Sequence, residues 1–266
     1  MPELPDVETF KRRVARQGLR KKIARVTVSD PRILGKLSAQ ALSRTLRGRK
    51  LTLVRRHGKH LLAKIDGDGW LTLHFGMTGG LQFFKIPAVE PPFTRVRLDF
   101  EAGDSLAYTN KRMIGRVGLV KDADEFIAAE RLGPDALDRH FTLAGFKDEV
   151  ADNRRDVKSI LMDQKVVAGI GNIYSDEILF QARIHPKTRV NMLDASQLNR
   201  LYRTMRTVLK SAVARGAGSE QFVERMPRGA MLPARKRGGR CPRCGSALKV
   251  IAIGGRTSYF CSRCQR

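Results

Sequence analysis

The 266-residue sequence predicts an α+β chain: an N-terminal antiparallel β-sandwich covered by a first helix, then a helical part, then a four-cysteine metal ribbon. Three observations carry the prediction. Seven short apolar runs between Ile23 and Val120 are separated by turn residues, the spacing of a two-sheet sandwich. From Asp122 onward the apolar residues recur at helical spacing instead. All four cysteines fall within the last 26 residues, as two C-x-x-C pairs.

In chain order, Leu4, Val7, Phe10 and Val14 form an apolar stripe, predicting a helix to about Leu19. Ile23–Val28, Leu51–Ile65, Trp70–Phe75, Leu81–Phe84, Val96–Phe100, Leu106–Tyr108 and Val117–Val120 read as strands. Asp66-Gly-Asp-Gly69 and Ala102-Gly-Asp104 supply turns between them. A first domain, 1–121, ends near Lys121-Asp122. Glu125–Leu132, Leu143–Asp152 and Val157–Gln164 each offer an apolar helical face. Val167-Ala-Gly-Ile-Gly-Asn-Ile173 interrupts the pattern, a new helix starts at about Tyr174 and runs to Ala182, and a long helix covers Ala195 to about Arg215. These make a second domain, 122–216. Residues 217–239, rich in glycine and containing Arg235-Lys-Arg237, read as a flexible loop, and 240–266 is the ribbon.

The formal charge of +25 sets the partner class. Such an excess favours a polyanion, through counterion release from phosphates and long-range steering. No apolar run approaches membrane-spanning length and the N-terminus lacks a signal-peptide pattern, so a cytoplasmic protein without a membrane partner is expected. Cys241-Pro-Arg-Cys244 and Cys261-Ser-Arg-Cys264, sixteen residues apart, supply four thiolates for one structural Zn2+. Four sulfur ligands leave no open position for catalysis. The basic residues around them, Arg240, Arg243, Lys249, Arg256, Arg263 and Arg266, suit a phosphate-facing hairpin.

The opening Met1-Pro-Glu-Leu-Pro-Asp-Val-Glu8 carries the distinctive chemistry. Removal of Met1 leaves Pro2 with a terminal secondary amine. An α-amino group has a reference pKa of about 7.7–8.0, so part of it is neutral and nucleophilic at pH 7. Attack on a sugar carbon gives an iminium, the Schiff-base route that splits one difficult substitution into two steps. Glu3 stands next to it and can move protons. The same residues also read as an ordinary helix start.

Three separated features stand together: Pro2-Glu3, a broken helix pair around Gly169-Ile-Gly-Asn172, and a ribbon containing Gly255-Arg-Thr-Ser-Tyr-Phe-Cys261. Together they resemble the formamidopyrimidine-DNA glycosylase / endonuclease VIII family of base-excision repair enzymes, over essentially the whole chain. The opening is closer to the formamidopyrimidine branch. The resemblance implies a bifunctional DNA glycosylase and AP lyase with a helix-two-turn-helix in the second domain. It would act as a monomer, without organic cofactor, on double-stranded DNA containing damaged bases or abasic sites. It implies Pro2 as nucleophile at the anomeric carbon, Glu3 as proton shuttle and Lys59, in Arg55-Arg-His-Gly-Lys59, as a catalytic lysine. The Schiff base would drive β,δ-elimination. It further implies phosphate contacts from Asn172, Lys158 and Arg256, and Met77, Arg112 and Ile114 filling the gap left by a flipped base. For Asn172 the plain alternative is the N-cap of the following helix.

The sequence departs from the family pattern in places. Asp-Pro-Arg-Arg-Phe-Gly appears here as Asn110-Lys-Arg-Met-Ile-Gly115, so an aliphatic residue replaces an aromatic wedge. Asp6 stands where glutamate is common, and Pro233-Ala-Arg-Lys-Arg-Gly238 lacks the usual Tyr-Gly-Arg. Oxidised purines, including ring-opened formamidopyrimidines, are the expected substrates. The alternatives are an endonuclease VIII-like preference for oxidised pyrimidines, a non-catalytic damaged-DNA-binding protein and an RNA-binding ribbon protein.

Overall fold

A computed structural model describes residues 1–67, 69–85, 89–150 and 153–266. The chain divides into two units, Met1–Pro2 with Val7–Glu130, and Glu3–Asp6 with Arg131–Arg266. Asp68 of the predicted 66–69 turn, and Ala151 and Asp152 of the predicted Leu143–Asp152 helix, lie outside the described residues.

In the first unit every predicted strand is present, with shifted ends. Helix α1 (Leu4–Gln17) leads into β1 (Ile23–Val28). A helix missed by the sequence reading follows, α2 (Ala39–Leu46), capped by Ser38 Oγ accepting Ala41 N–H at 3.1 Å. Its two turns bury only Leu42 and Leu46, too short a pattern to stand out. The run Leu51–Ile65 is two strands, β2 (Leu51–His57) and β3 (His60–Ile65), reversed at Gly58-Lys59 where Gly58 takes φ 54°. Next come β4 (Trp70–His74), β5 (Gly79–Lys85), β6 (Thr94–Phe100), β7 (Asp104–Asn110), β8 (Arg116–Val120) and α3 (Ala123–Ala129).

Among the described residues the strands of this unit make two antiparallel four-stranded sheets, ordered β1-β6-β7-β5 and β2-β3-β4-β8. Side chains of alternate residues, such as Leu61, Leu73, Leu81, Leu98, Leu106 and Val117, fill the shared core. Val7 and Val14 of α1 join that core, and Phe10 packs its ring 4.7 Å from Phe75. Strand β3 is buried on both faces because α3 covers its back, with Ala123 and Phe126 on Leu62 and Trp70.

The second unit is helical: α4 (Leu143–Val150), α5 (Val157–Met162), α6 (Asn172–Ala182) and α7 (Ala195–Arg215). Helix α6 is buried on nearly every side, taking in Ile173, Tyr174, Ile178, Leu179 and Phe180 together with the polar Ser175, Asp176 and Glu177. Helix α7 is amphipathic; it opens with an Asp194–Gln197 capping box and ends at Gly216, where φ is 63°. Residues 217–239 contain two short 3-10 turns, Val223–Arg225 and Leu232–Ala234, and bury Met226, Ala230, Met231 and Leu232. Strands β9 (Lys249–Ile253) and β10 (Arg256–Phe260) form the ribbon hairpin. Cys241 and Cys261 pack with Phe180 and Met231 in a small core of their own, with Cys264 against it.

Candidate active site and nucleic-acid interface

The chain start is anchored in the second unit through Glu3. Its carboxylate is fully buried and accepts three main-chain N–H groups, from Gly171 (2.7 Å), Ile173 (2.8 Å) and Tyr174 (3.2 Å). These donors are the otherwise unpaired groups of the first turn of α6, whose N-cap is a glycine with no side chain to serve them. Glu3 thus caps a helix from 168 residues away, with its negative charge at the positive helix end. Leu4 N–H donates to Gly169 O at 3.0 Å. Gly169 has φ 116°, and a Cβ there would come 2.6 Å from Leu4 Cδ1, so this position requires glycine. Asp6 extends the anchor, accepting Glu3 N–H at 2.8 Å and Ser219 N–H at 3.1 Å. Burial pushes the Asp6 carboxyl up to about 6, although those two N–H groups pull it down. Pro2 is half-buried and bonded directly to this held segment.

Within the first unit, Lys59 sits in the two-residue hairpin turn and is only 9% exposed. His60 on β3 pairs with His74 on β4, their rings 4.8 Å apart. Burial above all pushes His60 down to about 3, with His74, His57 and Lys59 adding to it, and His74 to about 4, with Lys59 and Arg116 adding to it. Both imidazoles are therefore neutral at pH 7.

The predicted gap-filling residues lie on two adjoining loops of the same unit. Arg112 Nη1 is 3.3 Å from Met77 Sδ, and Arg112 N–H donates to Thr78 Oγ1 at 3.1 Å. The loops approach backbone to backbone: Gly76 has φ 56°, and a Cβ on it would meet the Ile114 carbonyl carbon at 2.6 Å. Ile114 is 48% exposed, an unusual position for a large aliphatic residue. Beneath them Asn110 Nδ2 donates to Phe75 O at 3.1 Å and to the Tyr108 hydroxyl at 3.2 Å, which in turn donates to His74 O at 2.7 Å. An ionised aspartate, the family's residue here, has no N–H to donate.

Of the three residues expected at phosphates, Arg256 and Asn172 have groups without a partner among the described residues and Lys158 does not. Arg256 is exposed and opens β10 straight after the Gly254-Gly255 turn. Asn172 is the first residue of α6, not its N-cap, and its Oδ1 is buried with no hydrogen-bond partner among the described residues. Lys158 stands elsewhere than expected. It is fully buried, its Nζ 2.6 Å from Asp176 Oδ1, and its charge is spent inside the protein. Asp176 is the residue that sequence reasoning missed: it also accepts from Arg235 Nε (2.8 Å), Ser258 Oγ (2.7 Å) and Tyr259 N–H (3.1 Å). A carboxylate in an otherwise buried helix was the available signal, since such charges are rarely unpaired.

The four cysteine sulfurs lie within 4.8 Å of one another. Cys241 and Cys264 are 3.8 Å apart, and Cys244 and Cys261 3.6 Å. Those separations are far too long for disulfides and close to the edge of a tetrahedron with Zn–S bonds of about 2.3 Å. The donor set fits one structural zinc.

Three family models match the chain. Residues 1–117 match the formamidopyrimidine-DNA glycosylase N-terminal domain, 132–224 the H2TH domain of those enzymes, and 238–266 a zinc finger found in FPG and IleRS. The formamidopyrimidine-DNA glycosylase of Moorella thermoacetica is 39% identical over 259 residues, 94% of each chain. This chain belongs to the formamidopyrimidine-DNA glycosylase family. The fold agrees. Lactococcus lactis Fpg in complex with N7-benzyl-Fapy-dG DNA superposes with a TM-score of 0.89 at 28% identity, over 100% of both chains. MutM in complex with carbocyclic 8-oxo-G DNA gives 0.90, also at 28% and over 100% of both. Formamidopyrimidine-DNA glycosylases are DNA glycosylases with AP lyase activity, and that is the enzyme class of this chain. No helix among the described residues is long and apolar enough to cross a membrane.

Proposed function

We propose that this chain is a base-excision-repair enzyme for oxidised purines, ring-opened formamidopyrimidines included, in duplex DNA. The base is flipped out of the stack. The Pro2 amine, free once Met1 is removed, attacks the anomeric carbon, and the bond from that carbon to the base breaks. Loss of the base leaves an iminium between Pro2 and the opened sugar, and this electron sink drives β,δ-elimination of the two flanking phosphates. Glu3 shuttles protons in these steps, and Lys59 assists at a phosphate or at the departing base. Met77, Arg112 and Ile114 occupy the space the base vacates, and Asn172 and Arg256 hold the backbone. Residues 1–121 form the catalytic sandwich, 122–216 the helix-two-turn-helix, 217–239 the packed segment leading to the ribbon, and 240–266 the ribbon with its zinc on the four cysteines. The protein works as a monomer in the cytoplasm, on nucleoid DNA.

The observation that carries the reading is Glu3, bonded to Pro2 and held by three amides of the α6 start, which fixes the chain end as an active-site group is fixed. The charge of +25 supports a nucleic-acid partner. The test is cleavage of duplexes carrying 8-oxoguanine, a formamidopyrimidine, thymine glycol or no lesion. Strand scission at the two purine lesions is expected. Preferential cleavage at thymine glycol contradicts the purine assignment, and tight binding without scission contradicts the enzyme.

A further inference from the structure

Asp176 is buried at the meeting point of four segments of the second unit. Its Oδ1 takes Lys158 Nζ from α5 and Ser258 Oγ from β10; its Oδ2 takes Arg235 Nε from the segment before the ribbon and Tyr259 N–H from β10. Two of these donors are cations and two belong to one strand of the zinc ribbon. Satisfying the carboxylate therefore requires the ribbon to sit against α6 in one register, since a slip of β10 would leave a buried charge short of donors.

The periodicities of the two elements give that register a consequence. Asn172 and Asp176 are four residues apart on α6 and share a face, while Arg256 and Ser258 are two residues apart on β10 and share a face. The 2.7 Å bond from Ser258 to Asp176 thus joins the face carrying Asn172 to the face carrying Arg256. Each of these outer residues lies about 6–7 Å along its element from the bond, from the rise of about 1.5 Å per helical residue and about 3.3 Å per strand residue.

We propose that Asp176 is a positioning residue that sets Asn172 and Arg256 as one phosphate clamp, with Lys158 and Arg235 as its counter-charges and not as DNA ligands. The proposal rests on the reading that Asn172 and Arg256 hold DNA phosphates. Asp176 itself touches no substrate. It acts by fixing the distance between two grips that bind neighbouring phosphates, so its loss weakens binding through Arg256 and not beside it.

The experiment measures affinity for a duplex containing a tetrahydrofuran abasic analogue against salt concentration, for native protein, Asp176→Asn, Arg256→Ala and the double variant. Zinc content and thermal midpoint are measured alongside. Ser258→Ala is the milder companion, because it cuts the ribbon bond and leaves every charge in place. Asp176→Asn is expected to bind about tenfold more weakly, with the log–log salt slope smaller by roughly 1, as for loss of one phosphate contact. Ser258→Ala moves both quantities the same way by a smaller amount at unchanged zinc content. In the Arg256→Ala background, Asp176→Asn adds less than about a further twofold, the non-additivity of residues acting as a unit. Independent, multiplying losses overturn the proposal, as does an unchanged salt slope in Ser258→Ala. If Arg256→Ala binds like the native protein, the phosphate reading itself fails and the proposal falls with it. If Arg256→Ala weakens binding and neither Asp176→Asn nor Ser258→Ala does, the proposal alone falls.

Discussion

Replacing Glu3 by glutamine separates two duties of one side chain, holding a helix and moving a proton. The carboxylate takes three buried N–H groups, two on Oε2 and one on Oε1. A glutamine amide has one oxygen for two of them and turns its own N–H2 toward the third. One buried donor is then orphaned, at about 1–3 kcal/mol. The loss of negative charge in the first turn of α6 adds about 0.3–2 kcal/mol. Glu3→Gln should therefore lower unfolding stability by about 1–5 kcal/mol, while Glu3→Ala, which orphans all three donors, should lower it further. Urea unfolding at pH 7 reads this directly, as a lower midpoint at unchanged slope. A Glu3→Gln variant within about 0.5 kcal/mol of the native protein refutes the cap, because that is the range of an unremarkable surface change. If the cap holds, the rate of Schiff-base formation, measured well below the unfolding midpoint, reports the second duty separately.

Other outcomes follow from the same geometry. Asp6 has its carboxyl pushed up to about 6, above its unfolded value of 3.8, so the folded chain holds that proton more tightly. Its contribution to stability is full below pH 4 and is lost as pH rises through about 6; Asp6→Asn should gain stability relative to native across that window and no further above it, as seen in urea titrations from pH 4 to 8. A constant difference would contradict the burial argument. Cys261→Ser should abolish zinc retention and unfold the ribbon, because structural zinc supplies much of a small module's folding energy; metal content after dialysis checks this, and full zinc occupancy would count against it. Met77→Ala should slow base excision and leave binding to undamaged duplex near native, as single-turnover rates beside binding curves will tell. Equal loss in both would make Met77 a packing residue.

The fold was legible wherever a local pattern survives on its own. Short runs between turn residues marked the strands of the sandwich, helical spacing marked the long helix α7, and the cysteine spacing marked the ribbon. What the sequence hid was set at long range. Helix α2 buries two leucines over eight residues, a signal no stronger than that of a loop. The strand following the Gly58-Lys59 reversal shows no clean alternation, since α3 covers the back of β3. In the site, Pro2 and Glu3 were conspicuous by their chemistry, but the partner of Glu3 lies 168 residues away and nothing local announces it. Lys158 was expected at a DNA phosphate from the resemblance; only its pairing with Asp176, eighteen residues on, reveals a buried charge. Asn172, legible as a cap, turned out to stand one residue inside the helix, whose cap is supplied by Glu3 instead.

The measurement that tests the central claim most directly is borohydride trapping on a duplex with an abasic site, comparing native protein with a form carrying extra residues before Pro2. A covalent protein–DNA adduct that disappears in the extended form is the predicted result, since only a terminal Pro2 has a free secondary amine. An adduct of equal yield in both forms would move the nucleophile to a lysine, and no adduct in either, despite tight binding, would contradict the lyase altogether.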